Sequence, residues 1–134
     1  MNVFVVENSA AMDEGMRSIL SGIPNIEVVG HAVDELDAIE QIDALLPDAV
    51  ILDLVMQSGS GISVLENIKK RHAWIKAMVL THYSGKEYAK RCMSIGADYF
   101  FDKSFQLAQV RNVLRQWARD SKPCPGNKPD AFQP

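Results

Sequence analysis

Asp53 closes the short apolar run Asp48-Ala49-Val50-Ile51-Leu52. A carboxylate in that place can bind a metal ion, accept a phosphoryl group or cap the following loop. Three further apolar runs also end on polar residues. Val3 to Val6 leads into Glu7-Asn8, Ile75 to Leu80 into Thr81, and Tyr99 to Phe101 into Asp102-Lys103. Each residue alone has an ordinary reading as a cap, a strand residue or a solvated loop charge. Taken together, they suit phosphoryl transfer to a carboxylate. An aspartate can act as nucleophile and form an acyl phosphate. Glu7 and Asp53 are hard oxygen ligands for Mg²⁺, and Asn8 offers a neutral carbonyl oxygen. Lys103 can meet a phosphoryl oxygen as a point charge, and the Thr81 hydroxyl can donate a hydrogen bond to it.

Such chemistry requires elements that bring these residues together. Val3–Val6 reads as a first strand. Met12, Met16, Ile19 and Leu20 then recur on one helical face, with Ser9 as cap and Gly22 and Pro24 as stop. Ile26–Ala32 reads as a second strand. Leu36, Ile39, Ile42, Leu45 and Leu46 mark a second helix ending before Pro47. The run ending at Asp53 is a third strand, of the doubly buried kind found in parallel sheets. Ser58-Gly59-Ser60-Gly61 reads as a loop, and Ile62, Leu65 and Ile68 as a third helix. Ile75–Leu80 is a fourth strand. Ser84-Gly85-Lys86-Glu87 is a capping box for a fourth helix through Tyr88, Cys92 and Ile95, closed by Gly96. Tyr99–Phe101 is a fifth strand, and Leu107, Val110, Leu114 and Trp117 stripe a fifth helix. The apolar stripes are expected to be core.

Five βα units imply a parallel sheet with helices on both faces, because the crossovers are right-handed. The expected fold is α/β, a flavodoxin-like (βα)5 three-layer sandwich with strand order 2-1-3-4-5. In that order Glu7, Asp53, Thr81 and Lys103 fall at one edge of the sheet. Residues 1–121 are expected to form the domain. Residues 122–134, rich in Pro, Gly, Asn and Lys, read as a flexible tail.

The 134 residues suit one domain, and 47% apolar with 23% charged is ordinary for a globular chain. The net charge of −3 carries no basic run of the kind that marks a nucleic-acid or membrane partner. Cys92 and Cys124 have no metal-ligand spacing and read as reduced thiols, Cys92 packed in a helix and Cys124 in the tail. There is no signal peptide and no window of ~18 apolar residues. These features predict a soluble, cytoplasmic protein.

The sequence resembles the receiver domains of two-component response regulators over Asn2 to Ala118. Asp53-Leu54-Val55-Met56-Gln57-Ser58-Gly59-Ser60-Gly61 looks like the family's phosphoacceptor loop. Val79-Leu80-Thr81 looks like its switch threonine, Phe101-Asp102-Lys103-Ser104 like its lysine loop, and Gly96-Ala97-Asp98 is a further hallmark. Ile26-Glu27-Val28-Val29-Gly30 and the segment from Met12 to Arg17 resemble a branch whose members often carry a helix-turn-helix domain, which is not expected within these 134 residues. The resemblance implies that Asp53 is the phosphoacceptor, with Thr81 and Lys103 holding the phosphoryl group. It places Glu7 and Asn8 at the acidic pair, which with Asp53 and the backbone carbonyl of Val55 would bind Mg²⁺. It also makes Thr81 and Phe100 the switch residues. The implied partners are a sensor histidine kinase or phosphotransfer protein and a downstream protein target. The implied output face is the fourth helix, fifth strand and fifth helix, with Lys86, Lys90, Arg91, Tyr99 and Arg111 exposed. The chain would catalyse its own phosphorylation without being a turnover enzyme.

The sequence departs from the pattern at five positions. Asn8 stands where the family has a second acid. One unit charge at ~4 Å and an effective dielectric of ~20 is worth about 4 kcal/mol before desolvation, so weak Mg²⁺ binding is expected. Val55 and Tyr83 are bulky where polar side chains often guide water, so slow decay of the acyl phosphate is expected. Gln57 replaces a usual proline. Ser104 replaces the proline that follows the lysine, where a retained cis bond would cost roughly 2.5–4 kcal/mol. Two other functions compete. In a pseudo-receiver, Asn8 would mark lost metal chemistry and the domain would bind its partner constitutively. An aspartate-nucleophile phosphatase would need an acid two residues after Asp53, where Val55 stands. His31, His72 and His82 are scattered; His82, beside Thr81, could modulate the pocket but reads rather as a surface histidine.

Overall fold

The computed structural model describes residues 1–7, 10–54, 59–81, 86–102 and 107–120. The expectations for Asn8, Ser9, Val55, Gln57, the Ser84-Gly85 cap, His82, Tyr83, Lys103, Ser104, Cys124 and residues 122–134 lie outside that set. The elements are β1 (Asn2–Val6), α1 (Ala10–Ser21), β2 (Glu27–Ala32), α2 (Glu35–Leu45) and β3 (Ala49–Leu52), followed by α3 (Gly61–Arg71), β4 (Lys76–Thr81), α4 (Lys86–Ile95), β5 (Tyr99–Asp102) and α5 (Leu107–Asp120). All neighbouring strands pair in parallel, in the order β2-β1-β3-β4-β5. This is the expected flavodoxin-like arrangement.

The alternation of strand side chains builds two cores. Phe4, Val6, Val50, Leu52, Ala77 and Val79 pack with Ala38 and Ile42 of α2, Val64, Leu65 and Ile68 of α3, and Cys92 of α4. Val3, Val5, Ala49, Ile51, Met78 and Leu80 pack with Met16 and Leu20 of α1 and with Val110, Leu114 and Trp117 of α5. Each fully buried side chain of this size contributes roughly 1.5–3 kcal/mol. Cys92 is buried, as its helical position implied, and burial raises its thiol pKa above the ordinary 9.0. Among the described residues, no helix is long and apolar enough to cross a membrane.

The helical stripes run wider than the core. Leu36 is 75% exposed, and Leu45, Leu46 and Tyr88 are also exposed. Leu36 lies in the first turn of α2, while Leu45 and Leu46 lie at its end, where Leu46 takes φ 47° as it caps the helix. Ala38 and Ile42 form the buried face of α2, and Leu36 lies about 120° round the helix from Ile42. Asp34, at the N-cap, accepts the Asp37 N–H at 2.9 Å and fixes where α2 starts.

Three boundaries also differ from expectation. Ile75 closes a turn by donating to the His72 carbonyl, so β4 begins at Lys76, whose N–H reaches Asp48, and it runs on through Thr81. β5 continues to Asp102, which pairs with Thr81. Gly61 belongs to α3, capped by the Ser60 hydroxyl, which accepts the Ile62 N–H at 3.1 Å.

Candidate phosphoacceptor site

The carboxyl ends of β1, β3 and β4 are adjacent, and each carries one buried polar side chain. Val6 pairs with both Ala32 and Leu52. One residue further, the Glu7 N–H donates to the Ala32 carbonyl at 3.1 Å, and the Asp53 N–H donates to the Val6 carbonyl at 2.9 Å. Glu7 and Asp53 therefore leave neighbouring strands at one level, where parallel strands lie about 4.8 Å apart. On the next strand, Leu52 pairs with Val79, so Thr81 stands two residues beyond that pair. Glu7 and Thr81 are 0% exposed and Asp53 is 7% exposed. Polar groups so buried at a strand end are costly unless the fold uses them.

Gly61 sets the entry to α3 against this edge. Its N–H donates to the Leu54 carbonyl at 3.1 Å. A Cβ placed on it would stand 2.3 Å from the Asp53 carbonyl oxygen and 2.7 Å from the Leu54 Cα. Only glycine permits this contact, so Gly61 packs directly on the backbone of Asp53 and Leu54. Glu35, in the first turn of α2, accepts the Ser60 N–H at 2.8 Å and ties the same segment to the next helix. Beside it, Gly59 takes φ +89°, where a Cβ would meet the Glu35 side chain. The sequence signal for these contacts was the Gly-Ser-Gly spacing, which reads as an ordinary loop until the backbone approach is seen.

Phe100, on β5, pairs with Val79 and packs partly buried against the Phe4–Leu52 core. Asp102 lies level with Thr81, one residue before Lys103. The described residues include no cluster of three or more His, Cys, Asp or Glu side chains suited to a metal. Two carboxylates at neighbouring strand ends do fit Mg²⁺, which takes one or two carboxylates and keeps several waters. A divalent cation would also offset the repulsion between two buried carboxylates.

The sequence matches the response regulator receiver domain profile over residues 3–115. The chain belongs to the response regulator receiver domain family. Receiver domains of this family act in two-component signalling and generally bind Mg²⁺ at the phosphorylation site. The chain is 33% identical over 115 residues to a protein-glutamate methylesterase/protein-glutamine glutaminase of Methanospirillum hungatei, covering 84% of this chain and 34% of that protein. It is 29% identical over 116 residues to the response regulator VraR of Staphylococcus saprophyticus, covering 87% of this chain and 56% of that one. The receiver therefore spans about a third to just over half of these relatives. Its fold is similar to the response regulator domain of Thermotoga maritima CheB, with a TM-score of 0.76 and 29% identity over 90% of this chain and 94% of that one. The receiver domain of a putative NarL regulator from Mycobacterium tuberculosis gives a TM-score of 0.79 at 24% identity, covering 88% of this chain and 95% of that one.

Proposed function

We propose that this receiver takes a phosphoryl group onto Asp53 from a histidine kinase or phosphotransfer protein and thereby alters a protein-binding face. The observation that carries this reading is the burial of Glu7, Asp53 and Thr81 at the ends of three adjacent strands. In the transfer, an Asp53 carboxylate oxygen attacks the phosphorus of a phosphohistidine. The P–O bond forms as the P–N bond breaks, and the imidazole leaves. The Thr81 hydroxyl donates to a phosphoryl oxygen, and the Lys103 ammonium offsets the added charge. Glu7, Asp53, Asn8 and the Val55 carbonyl would hold Mg²⁺, which supplies further positive charge at the phosphoryl oxygens. The acyl phosphate adds roughly −1.5 to −2 charge. This draws in Thr81 and Lys103 and biases β4, α4 and Phe100 between two arrangements.

The output face consists of α4, β5 and α5, on which Lys86, Lys90, Arg91, Tyr99 and Arg111 are exposed. The domain occupies residues 1–121, acts in the cytoplasm, and turns over no substrate of its own.

Incubation with acetyl phosphate and Mg²⁺ tests the reading. Intact mass is expected to show one added phosphoryl group on wild type and none on Asp53→Asn. No adduct with any divalent metal would instead make the domain a constitutive interaction module. Asn8 weakens the metal site by one charge, so Asn8→Asp is expected to tighten Mg²⁺ about tenfold in calorimetry. Equal affinities for the two proteins would refute the charge argument.

A further inference from the structure

The outer face of α5 carries Arg111, Arg115 and Arg119 at i, i+4 and i+8, all exposed. They form a basic stripe about 12 Å long that winds gradually round the helix. Like charges at this spacing destabilise a helix. Three other cations have carboxylate neighbours: Arg71 pairs with Asp43, Lys69 with Asp98, and Arg91 approaches Glu66. None of the three α5 arginines has an ion-pair partner among the described residues. The helix itself holds one acid, Asp120, which lies off the stripe by one residue.

The stripe leads into a cleft of about 300 Å³ formed by Arg115, Ala118 and Arg119 with the turn Gly22-Ile23-Pro24-Asn25. Ile23 and Ala118 are nearly fully buried and give the cleft an apolar floor beneath two guanidinium groups. The turn joins the end of α1 to the start of β2. The cleft is thus at the edge of the sheet opposite Glu7, Asp53 and Thr81.

We propose that this stripe and cleft dock an acidic amphipathic helix of a protein partner. Carboxylates one turn apart would match the arginine spacing, and an aliphatic side chain would fill the cleft. A nucleic-acid backbone has no apolar group for that floor. The chain's own residues 121–134 hold two lysines and one aspartate, a poor match for a basic stripe. Arg111 also lies on the proposed output face, but the cleft itself is lined by Arg115 and Arg119, at the end of the sheet away from Asp53, so binding there is expected with Asp53 unphosphorylated.

The probe is a fluorescein-labelled synthetic helix with glutamates at i, i+4 and i+8 and leucines on the adjoining face. Anisotropy with the full chain is expected to show saturable binding that weakens with salt. Arg115→Gln with Arg119→Gln should weaken it at least about tenfold, while Asp53→Asn leaves it unchanged. The double glutamine variant should also show a higher urea midpoint, because repulsion is relieved. A lower midpoint would make the stripe structural and overturn the proposal. So would the absence of binding up to about 1 mM probe, or competition by duplex DNA as effective as by unlabelled probe. A wild-type dimer in sedimentation that the double variant disperses would make a second copy the occupant, and would also overturn it.

Discussion

Gly61→Ala is expected to destabilise the domain by ~1–3 kcal/mol and to slow phosphoryl uptake by up to about 10²-fold. The two groups in the way are backbone, the Asp53 carbonyl oxygen at 2.3 Å and the Leu54 Cα at 2.7 Å from the added carbon. No rotamer change removes a backbone clash, so α3 or the chain after β3 must move. The residue that moves most directly is Asp53, the proposed phosphoacceptor. Small displacements of a nucleophile are costly because in-line attack depends on alignment. Gly22→Ala is the matched control, since its added carbon would meet nothing nearer than the Ile19 carbonyl at 3.6 Å. The comparison requires urea unfolding of both variants and the initial rate of adduct formation from acetyl phosphate. If Gly61→Ala behaves like Gly22→Ala in both, the close approach has no consequence.

The layout of this fold was legible because its strands are simple. Val3–Val6 and Ala49–Leu52 are fully buried, so their apolar runs have no helical reading that fits their length. Strand order followed from five consecutive βα units, and it brought Glu7, Asp53 and Thr81 to one edge. The helices were harder to read. Apolar residues at helical spacing do not all share the inward face: Leu36 lies about 120° round α2 from the buried Ile42 and proved exposed, as did Tyr88. Turn chemistry was hidden for another reason. Ile75 looks like a strand residue by type, and only its hydrogen bond to His72 shows that it closes a turn. Gly61 carries no local signal for the contact with Asp53, because the obstacle is the backbone of a residue eight positions away. The arginine stripe was partly visible, through Arg111. Its significance depends on the absence of an ion-pair partner among the described residues, which is a property of the folded surface.

The Gly96-Ala97-Asp98 turn shows how a sequence hallmark can serve stability alone, and Lys69→Met tests that role. The Asp98 carboxylate accepts the Ala77 N–H at 2.8 Å, and its own N–H donates to the Ala77 carbonyl at 2.8 Å. The same carboxylate meets the Lys69 ammonium at 3.1 Å, and that ammonium also donates to the Ile75 carbonyl at 2.7 Å. Gly96, at φ +125°, passes over the Lys69 stem, which a Cβ would approach to 3.3 Å. One side chain of α3 thereby fastens the beginnings of both β4 and β5. Methionine keeps the apolar stem and removes the ammonium, leaving the Ile75 carbonyl and the Asp98 carboxylate to find water. The expected loss is about 2–3 kcal/mol, near the top of the range for a charged hydrogen bond because the lysine side chain is only 12% exposed. Asp98→Asn keeps an acceptor for Ala77 and should lose about 1 kcal/mol. The double variant should lose less than the sum of the two, a coupling that unfolding midpoints can measure. These contacts lie at the sheet edge away from Asp53. The rate of adduct formation per folded molecule should therefore stay at the wild-type value. A rate that falls with stability would mean that the clamp reaches the phosphoacceptor through the strands, and that β4 and β5 transmit strain along their length.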